Sequence, residues 1–183
     1  MAPSRAALAA GLALGSLADQ LLGDPRRWHP VAGFGRIATA VERRLYADDR
    51  KSGAAYATVL VGGAAGLGVV IAAVVRDRPI LRTLAVATAT WAVLGGRSLA
   101  REAEAISRQL ADGDLAAART QVRNLVSRDP DGLDADQVAR AALESVAENT
   151  SDAVVAPLFW GAVAGLPGLL GYRAVNTLDA MVG

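Results

Sequence analysis

The chain has no cysteine, a single histidine, a single lysine and few aromatic side chains, which make up 4% of its 183 residues. Without cysteine there is no disulfide scaffold, no thiolate zinc site and no thiol catalysis. His29 alone cannot build a histidine-cluster metal centre. Lys51 is the only lysine among 19 basic residues, so cationic chemistry here is arginine chemistry. A surplus of charge is also missing. The net +1 leaves no excess cations to meet a phosphate backbone, so nucleic acid is not expected as a partner. With 52% hydrophobic positions the chain also lacks the polar, highly charged composition of disordered proteins. Its length suits one domain. Much of the apolar fraction is alanine and glycine, a poor filling for a soluble core.

The apolar residues are blocked. Residues 52–75 carry no charge over 24 positions. At a rise of ~1.5 Å per residue, about 20 residues cross a hydrocarbon layer of ~30 Å, so this run spans. Its Gly62-x-x-x-Gly66 pattern predicts close approach of another helix. Residues 83–96 are charge-free for 14 positions, a full crossing only if Arg82 and Arg97 snorkel at the two ends. Residues 153–172 have the length to cross, but Pro157, Pro167 and four glycines interrupt them. Three arrangements fit: a spanning helix, a re-entrant hairpin turning at Leu166-Pro167-Gly168, or a segment packed inside the bundle. Residues 6–18, between Arg5 and Asp19, read either as a first membrane helix or as a secretory leader.

Together these runs predict an all-α fold: a polytopic helical membrane protein with an amphipathic helical cytoplasmic segment. Residues 1–183 form one membrane-embedded domain, with apolar segments near 6–22, 54–75, 80–96 and 153–172 and a polar helical stretch over 97–152. Seven cations lie between Gly23 and Gly53 and seven arginines between Arg97 and Asp152. The positive-inside rule puts both loops in the cytoplasm. Strict alternation then places 173–183 outside.

The polar stretch reads as three helices. The first covers about Arg97 to Leu110 and ends at Gly113. Asp114 caps the second, which carries Leu115, Ala118, Val122, Leu125 and Val126. After an Asp129-Pro130-Asp131-Gly132 turn, Asp134 or Asp136 caps a third that runs through Glu148. Glu102, Glu104, Arg108 and Arg119 read as a solvated face. The acids from Asp129 to Asp136 do not fit a calcium-loop spacing, and Walker and dinucleotide-binding loops are absent.

Arg140, Glu144 and Glu148 fall at i, i+4 and i+8, placing a cation and two carboxylates on one helix face. Asn149 and Asp152 follow where that helix meets the apolar segment. A second polar cluster, Arg173, Asn176, Thr177 and Asp179, lies beyond that segment, and a third, Asp24 through Pro30, follows the first one. A site assembled at the membrane surface and ordinary helix-end capping both account for this clustering. Oxygen-only ligands favour magnesium, which suits phosphate chemistry.

Three segments resemble the CobD/CbiB family of cobalamin biosynthesis: Gly23-Asp24-Pro25 with Trp28-His29-Pro30-Val31, Glu144 to Asp152 with Ala156-Pro157-Leu158-Phe159-Trp160, and Tyr172 to Gly183. The resemblance implies an uncleaved first helix and a multi-pass protein of the inner membrane, in contact with lipid. It implies an adenosylcobinamide-phosphate synthase, a C–N ligase that uses ATP to join aminopropanol, or its O-phosphate, to the corrinoid adenosylcobyric acid. Placed on these motifs, the chemistry assigns Glu148 and Asp152 to magnesium. Glu144 serves as base or as support to the metal ligands, and Asp179 as a further acid. Arg128, Arg140, Arg173 and His29 bind substrate or phosphate, while Asn149 and Asn176 supply neutral hydrogen bonds. A shared cytosolic site then requires 173–183 to lie on the cytoplasmic side, against strict alternation. Family chains run further than this one, so a homo-oligomer or a partner carrying the remaining part is expected, and an inactive remnant is an alternative. A non-catalytic membrane scaffold or transporter subunit is the reading from another class.

Overall fold

A computed structural model describes residues 2–23, 30–45, 49–126 and 129–182. Among them there is no strand; the elements are α1 (Ala2–Leu22), α2 (Pro30–Leu45), α3 (Arg50–Val74), α4 (Pro79–Val93), α5 (Gly96–Ala111), α6 (Leu115–Val122), α7 (Ala135–Thr150), a π-helical stretch Ser151–Val155 and α8 (Ala156–Val182). By length and composition, three helical stretches are long and apolar enough to cross a membrane: Arg50–Val74, Pro79–Ala111 and Ala135–Met181. The fold is that of an all-α polytopic membrane protein. The second stretch contains a break at Leu94 and Gly95, and the third contains a reversal, so neither is one straight rod.

Local chemistry sets the helix ends. Asp49 caps α3, its carboxylate accepting the N–H groups of Lys51 at 2.8 Å and Ser52 at 3.0 Å. A short turn through Arg76–Arg78 leads to Pro79 at the start of α4, where a missing N–H costs nothing. It brings α4 back antiparallel to α3.

α1 and α4 run parallel. Thr83 Oγ1 donates to the Ala7 carbonyl at 3.3 Å near one end, and the Trp91 indole donates to the Gly23 carbonyl at 2.9 Å at the other. Between them Gly11 and Gly15 lie against α4. A Cβ at 11 would stand 2.6 Å from Val86 Cβ, and one at 15 would stand 2.6 Å from the Ala87 carbonyl oxygen. The glycine spacing expected to carry helix contact on α3 does not carry it. A Cβ at Gly62 or Gly66 would meet nothing within 4 Å, whereas Gly68 lies against the Leu166–Pro167 backbone. Small residues permit close approach, but a partner's path decides which ones are used.

The segment 153–172 does not stay straight. Gly165 takes φ +66° and ψ −144°, a conformation that suits glycine, and the chain doubles back there. The reversal comes one residue before the expected Leu-Pro-Gly turn. Gly168 then abuts the Trp160 carbonyl, and Gly161 abuts Leu169 and Leu12. The first arm, 156–164, runs in from the π-helical stretch, and the second arm, 166–182, runs back out along α3. Gly68 meets Pro167, Gly171 lies beside Ala65, and Leu178 packs with Tyr56, Leu60 and Ala38. The second arm is therefore antiparallel to α3. Leu8, Val69, Ala72 and Arg82 surround the reversal, which places it near the α3–α4 turn. Residues 173–182 return to the opposite end, the one shared by α2, α5 and α7.

At that end α5, α6 and α7 form a separate layer. Ile106, Ala118, Val122, Val138 and Ala142 make its core, with Leu110, Leu115, Leu125 and Leu133 around it. Asp114 caps α6, and Asp134 rather than Asp136 caps α7 in a reciprocal box with Gln137. α6 stops at Val122, short of Leu125 and Val126, which continue in a turn. Glu102 and Arg119 do not merely face solvent: Gln121 and Asn124 donate to Glu102 at 2.6 and 3.0 Å, and Arg119 Nε donates to the Leu133 carbonyl at 2.7 Å. Both tie the layer together.

Candidate functional site at the shared end of the bundle

The site is built where α7 becomes the π-helical stretch. α7 buries Val138, Ala141, Ala142 and Ser145, which leaves Arg140, Glu144 and Glu148 on its exposed face as their spacing predicts. Asn149 turns inward and its amide donates to the Ser145 carbonyl at 2.8 Å. The chain then widens from i→i+4 to i→i+5 bonding, as when the Ala156 N–H donates to the Ser151 carbonyl. A π-turn inside an α-helical run is often found at functional positions, because it changes which way the following side chains point. Asp152, four residues after Glu148, sits in this stretch, half-buried. The Tyr172 hydroxyl donates to its Oδ1 at 3.5 Å, a long contact that joins the π-helical stretch to the second arm of α8.

Without the reversal at Gly165 these two residues would stand about 30 Å apart, twenty residues along one helix. The hairpin is what brings the Glu144–Asp152 motif and the Tyr172–Gly183 motif to one end. Arg173 and Asn176 are half-buried there, Asp179 is exposed, and Thr177 returns its hydroxyl to the Arg173 carbonyl at 2.8 Å. Arg173 also lines an apolar groove against α2 and α3. His29 and Arg128 lie outside the described residues.

Beneath these groups is a joint that sequence reasoning did not anticipate. Asp19, only 1% exposed, accepts the Arg97 N–H through Oδ2 at 3.2 Å, and the Gly95 N–H donates to the Ala153 carbonyl at 3.3 Å. Gly96 has no room for a side chain, with Asp19 Oδ2 at 2.9 Å and Val154 Cγ2 at 3.1 Å from its Cβ position. α1, the α4–α5 break and the π-helical stretch thus meet at one point. A signal was present in the sequence. Asp19 lies in the last turn of its own helix, where the dipole disfavours an acid, so a carboxylate there needs a positive partner elsewhere. The backbone N–H of Arg97, in the first turn of α5, is one such partner.

Among the described residues no group of three or more His, Asp or Glu side chains is placed to hold a metal ion. Magnesium does not require such a cage. It is commonly held by one or two carboxylates, with substrate phosphates and water completing its shell. Glu148, exposed, and Asp152, half-buried four residues further on, are two carboxylates at this end of α7.

Fold and site together define a class: a helical membrane protein that folds one apolar segment back on itself and gathers two of its polar motifs at one end. The chain belongs to the CobD/CbiB family, whose model, described as CobD/Cbib protein, matches residues 12–183. It is 49% identical over 176 residues to the cobalamin biosynthesis protein CobD of Mycobacterium tuberculosis, covering 96% of this chain and 55% of that one. Identity to CobD of Chromobacterium violaceum is 45% over 178 residues, covering 94% and 57%. Identity to the cobalamin biosynthesis protein CbiB of Salmonella arizonae is 40% over 173 residues, covering 90% and 54%. The chain spans about half the length of these curated relatives. No solved structure matches it.

Proposed function

We propose that this chain acts in cobalamin biosynthesis as the site-bearing part of an ATP-dependent C–N ligase, which joins aminopropanol or its O-phosphate to adenosylcobyric acid. The observation that carries the reading is the meeting of Asp152 and Tyr172, which unites two motifs separated by an apolar segment. Its relatives' names supply the pathway, and the chemistry supplies the rest. Forming an amide from a carboxylate needs activation, most simply as an acyl phosphate, and so needs phosphate oxygens held and a base for the amine.

Glu148 and Asp152 are the proposed magnesium ligands, and the metal would neutralise charge on ATP oxygens. Glu144, exposed on the same α7 face, is the proposed base. Arg140 and Arg128 contribute the bidentate guanidinium fork in a chain almost without lysine. Asn149 and Asn176 contribute neutral hydrogen bonds, and Asp179 a further acid. The remaining proposed substrate or phosphate contacts are Arg173 and His29. The protein is placed in the inner membrane with 23–53 and 97–152 on the cytoplasmic side.

The test is ATP consumption by the purified protein in detergent or lipid discs. It should depend on adenosylcobyric acid and the amine together, and Glu148→Gln should abolish it. If the chain alone is silent, the same assay is run with the remaining family length restored. Activity only then places the function in the longer chain. Silence in both favours a scaffold and overturns the ligase reading.

A further inference from the structure

We propose that the groove between α2, α3 and the second arm of α8 docks an apolar helix from the family length that lies outside this chain. The inference rests on family membership and not on the ligase reading. The groove encloses about 610 Å³. Phe34 and Ile37 of α2, Val59 and Leu67 of α3 and Leu170 of α8 supply its walls, with Gly63 among them. A Cβ at Gly63 would meet nothing within 4 Å.

Depth and polarity narrow the occupant. Gly171 lies beside Ala65 and Gly68 against Pro167, which sets this part of the second arm level with the middle of the charge-free run 52–75. Among the described residues Arg173 is the only charged side chain in the lining, and it already has an interaction partner. The groove is thus an apolar surface at hydrocarbon depth. A polypeptide seated there has to satisfy its own backbone, which makes it a helix.

The open face continues beyond the groove. Val59, Gly63, Leu67, Val70 and Val74 share one side of α3 at helical spacing, and the four large side chains among them are each more than half exposed. From Val59 to Val74 this stripe runs about 22 Å, most of a hydrocarbon layer of ~30 Å. α3 is also the least covered of the three candidate spans, with 11% of its apolar window buried against 22% in each of the others. A stripe of that length fits the side of another membrane helix, not a small ligand.

Length supplies the source of that helix. The 176 residues matched in Mycobacterium tuberculosis CobD are 55% of that relative, so its chain carries a further length approaching this one's. One crossing takes about 20 residues. Membrane helices pack where small residues let backbones approach, and Gly63 offers that approach inside the groove.

The experiment joins this chain to the remaining length of Mycobacterium tuberculosis CobD through a protease-cleavable linker. Benzoylphenylalanine replaces Ile37 or Leu67, one on each wall, and the protein is irradiated in lipid discs and then cleaved. Both positions are more than half exposed, so neither probe disturbs the core, and circular dichroism melting checks each fold. Either probe should link the two parts, which then stay together on a denaturing gel after cleavage. Gly63→Leu, added beside each probe, should fill the groove and lower the linked fraction about fivefold. Parts that separate after cleavage would overturn the proposal, because lipid would then occupy the groove. Linkage at twice the mass of the cleaved short chain would overturn it as well, since the occupant would be a second copy. So would linkage unchanged by Gly63→Leu, which would put the contact outside the groove.

Discussion

The carboxylate of Asp19, on α1, caps the first turn of α5 by accepting the backbone N–H of Arg97. Gly95, the residue before that helix, has no side chain to do so. The cap therefore comes from another helix, and it fastens the bundle to the polar layer. Asp19→Ala removes a buried, charge-assisted acceptor and should cost about 1–3 kcal/mol. Asp19→Asn, which keeps an acceptor oxygen but no charge, should cost less. Thermal unfolding in mild detergent measures both, and equal melting of Asp19→Ala and parental protein would dismiss the cap.

Two pairs of glycines with the same spacing should behave in opposite ways. Gly15→Leu forces atoms against the α4 backbone and should destabilise by about 1–3 kcal/mol. Gly62→Ala adds a methyl group where nothing lies within 4 Å and should hold or raise stability, by up to about 1 kcal/mol, through the better helix propensity of alanine. Unfolding midpoints of the two variants, measured side by side, give the comparison.

That contrast shows where the fold was legible. The polar helices could be read from Asp114, Gly113 and Asp134, because capping and amphipathic spacing are local and leave their residues in the sequence. The α1–α4 contact could not, because Gly11 and Gly62 look alike until the partner's path is known. The reversal near Pro167 was one of three arrangements open from the residues, and Gly165 with its positive φ selects it. The π-helical stretch has no sequence signature of its own, and without it the turning of Asp152 toward Tyr172 could not be foreseen. Of the site, the motif residues were visible, but Tyr172 as a partner of Asp152 and Asp19 as its foundation were not.

Asp49 offers a pH-dependent signature outside the membrane. Its carboxylate accepts the Ser52 N–H and hydroxyl and the Lys51 N–H, and these bonds hold its pKa below the ordinary aspartate range. A group depressed in the folded state contributes fully above its unfolded pKa and loses that contribution as pH falls through the folded value. Fraying of the first turn of α3 is thus expected only in strong acid. Carboxyl-carbon NMR of Asp49 should titrate below the value in a short peptide of the same sequence, and an equal value would refute the cap's electrostatic part.

The reversal at Gly165 is what makes a shared site possible, and cysteine labelling tests it most directly because the chain has no cysteine of its own. Single variants Asp77→Cys in the α3–α4 turn, Asp114→Cys before α6 and Asp179→Cys near the end of the second arm are treated with a membrane-impermeant maleimide. Right-side-out and inverted vesicles expose opposite faces. Asp179→Cys should label from the same side as Asp114→Cys and the opposite side from Asp77→Cys. Labelling of Asp179→Cys together with Asp77→Cys would mean that 153–172 crosses the membrane, and the shared site would be contradicted.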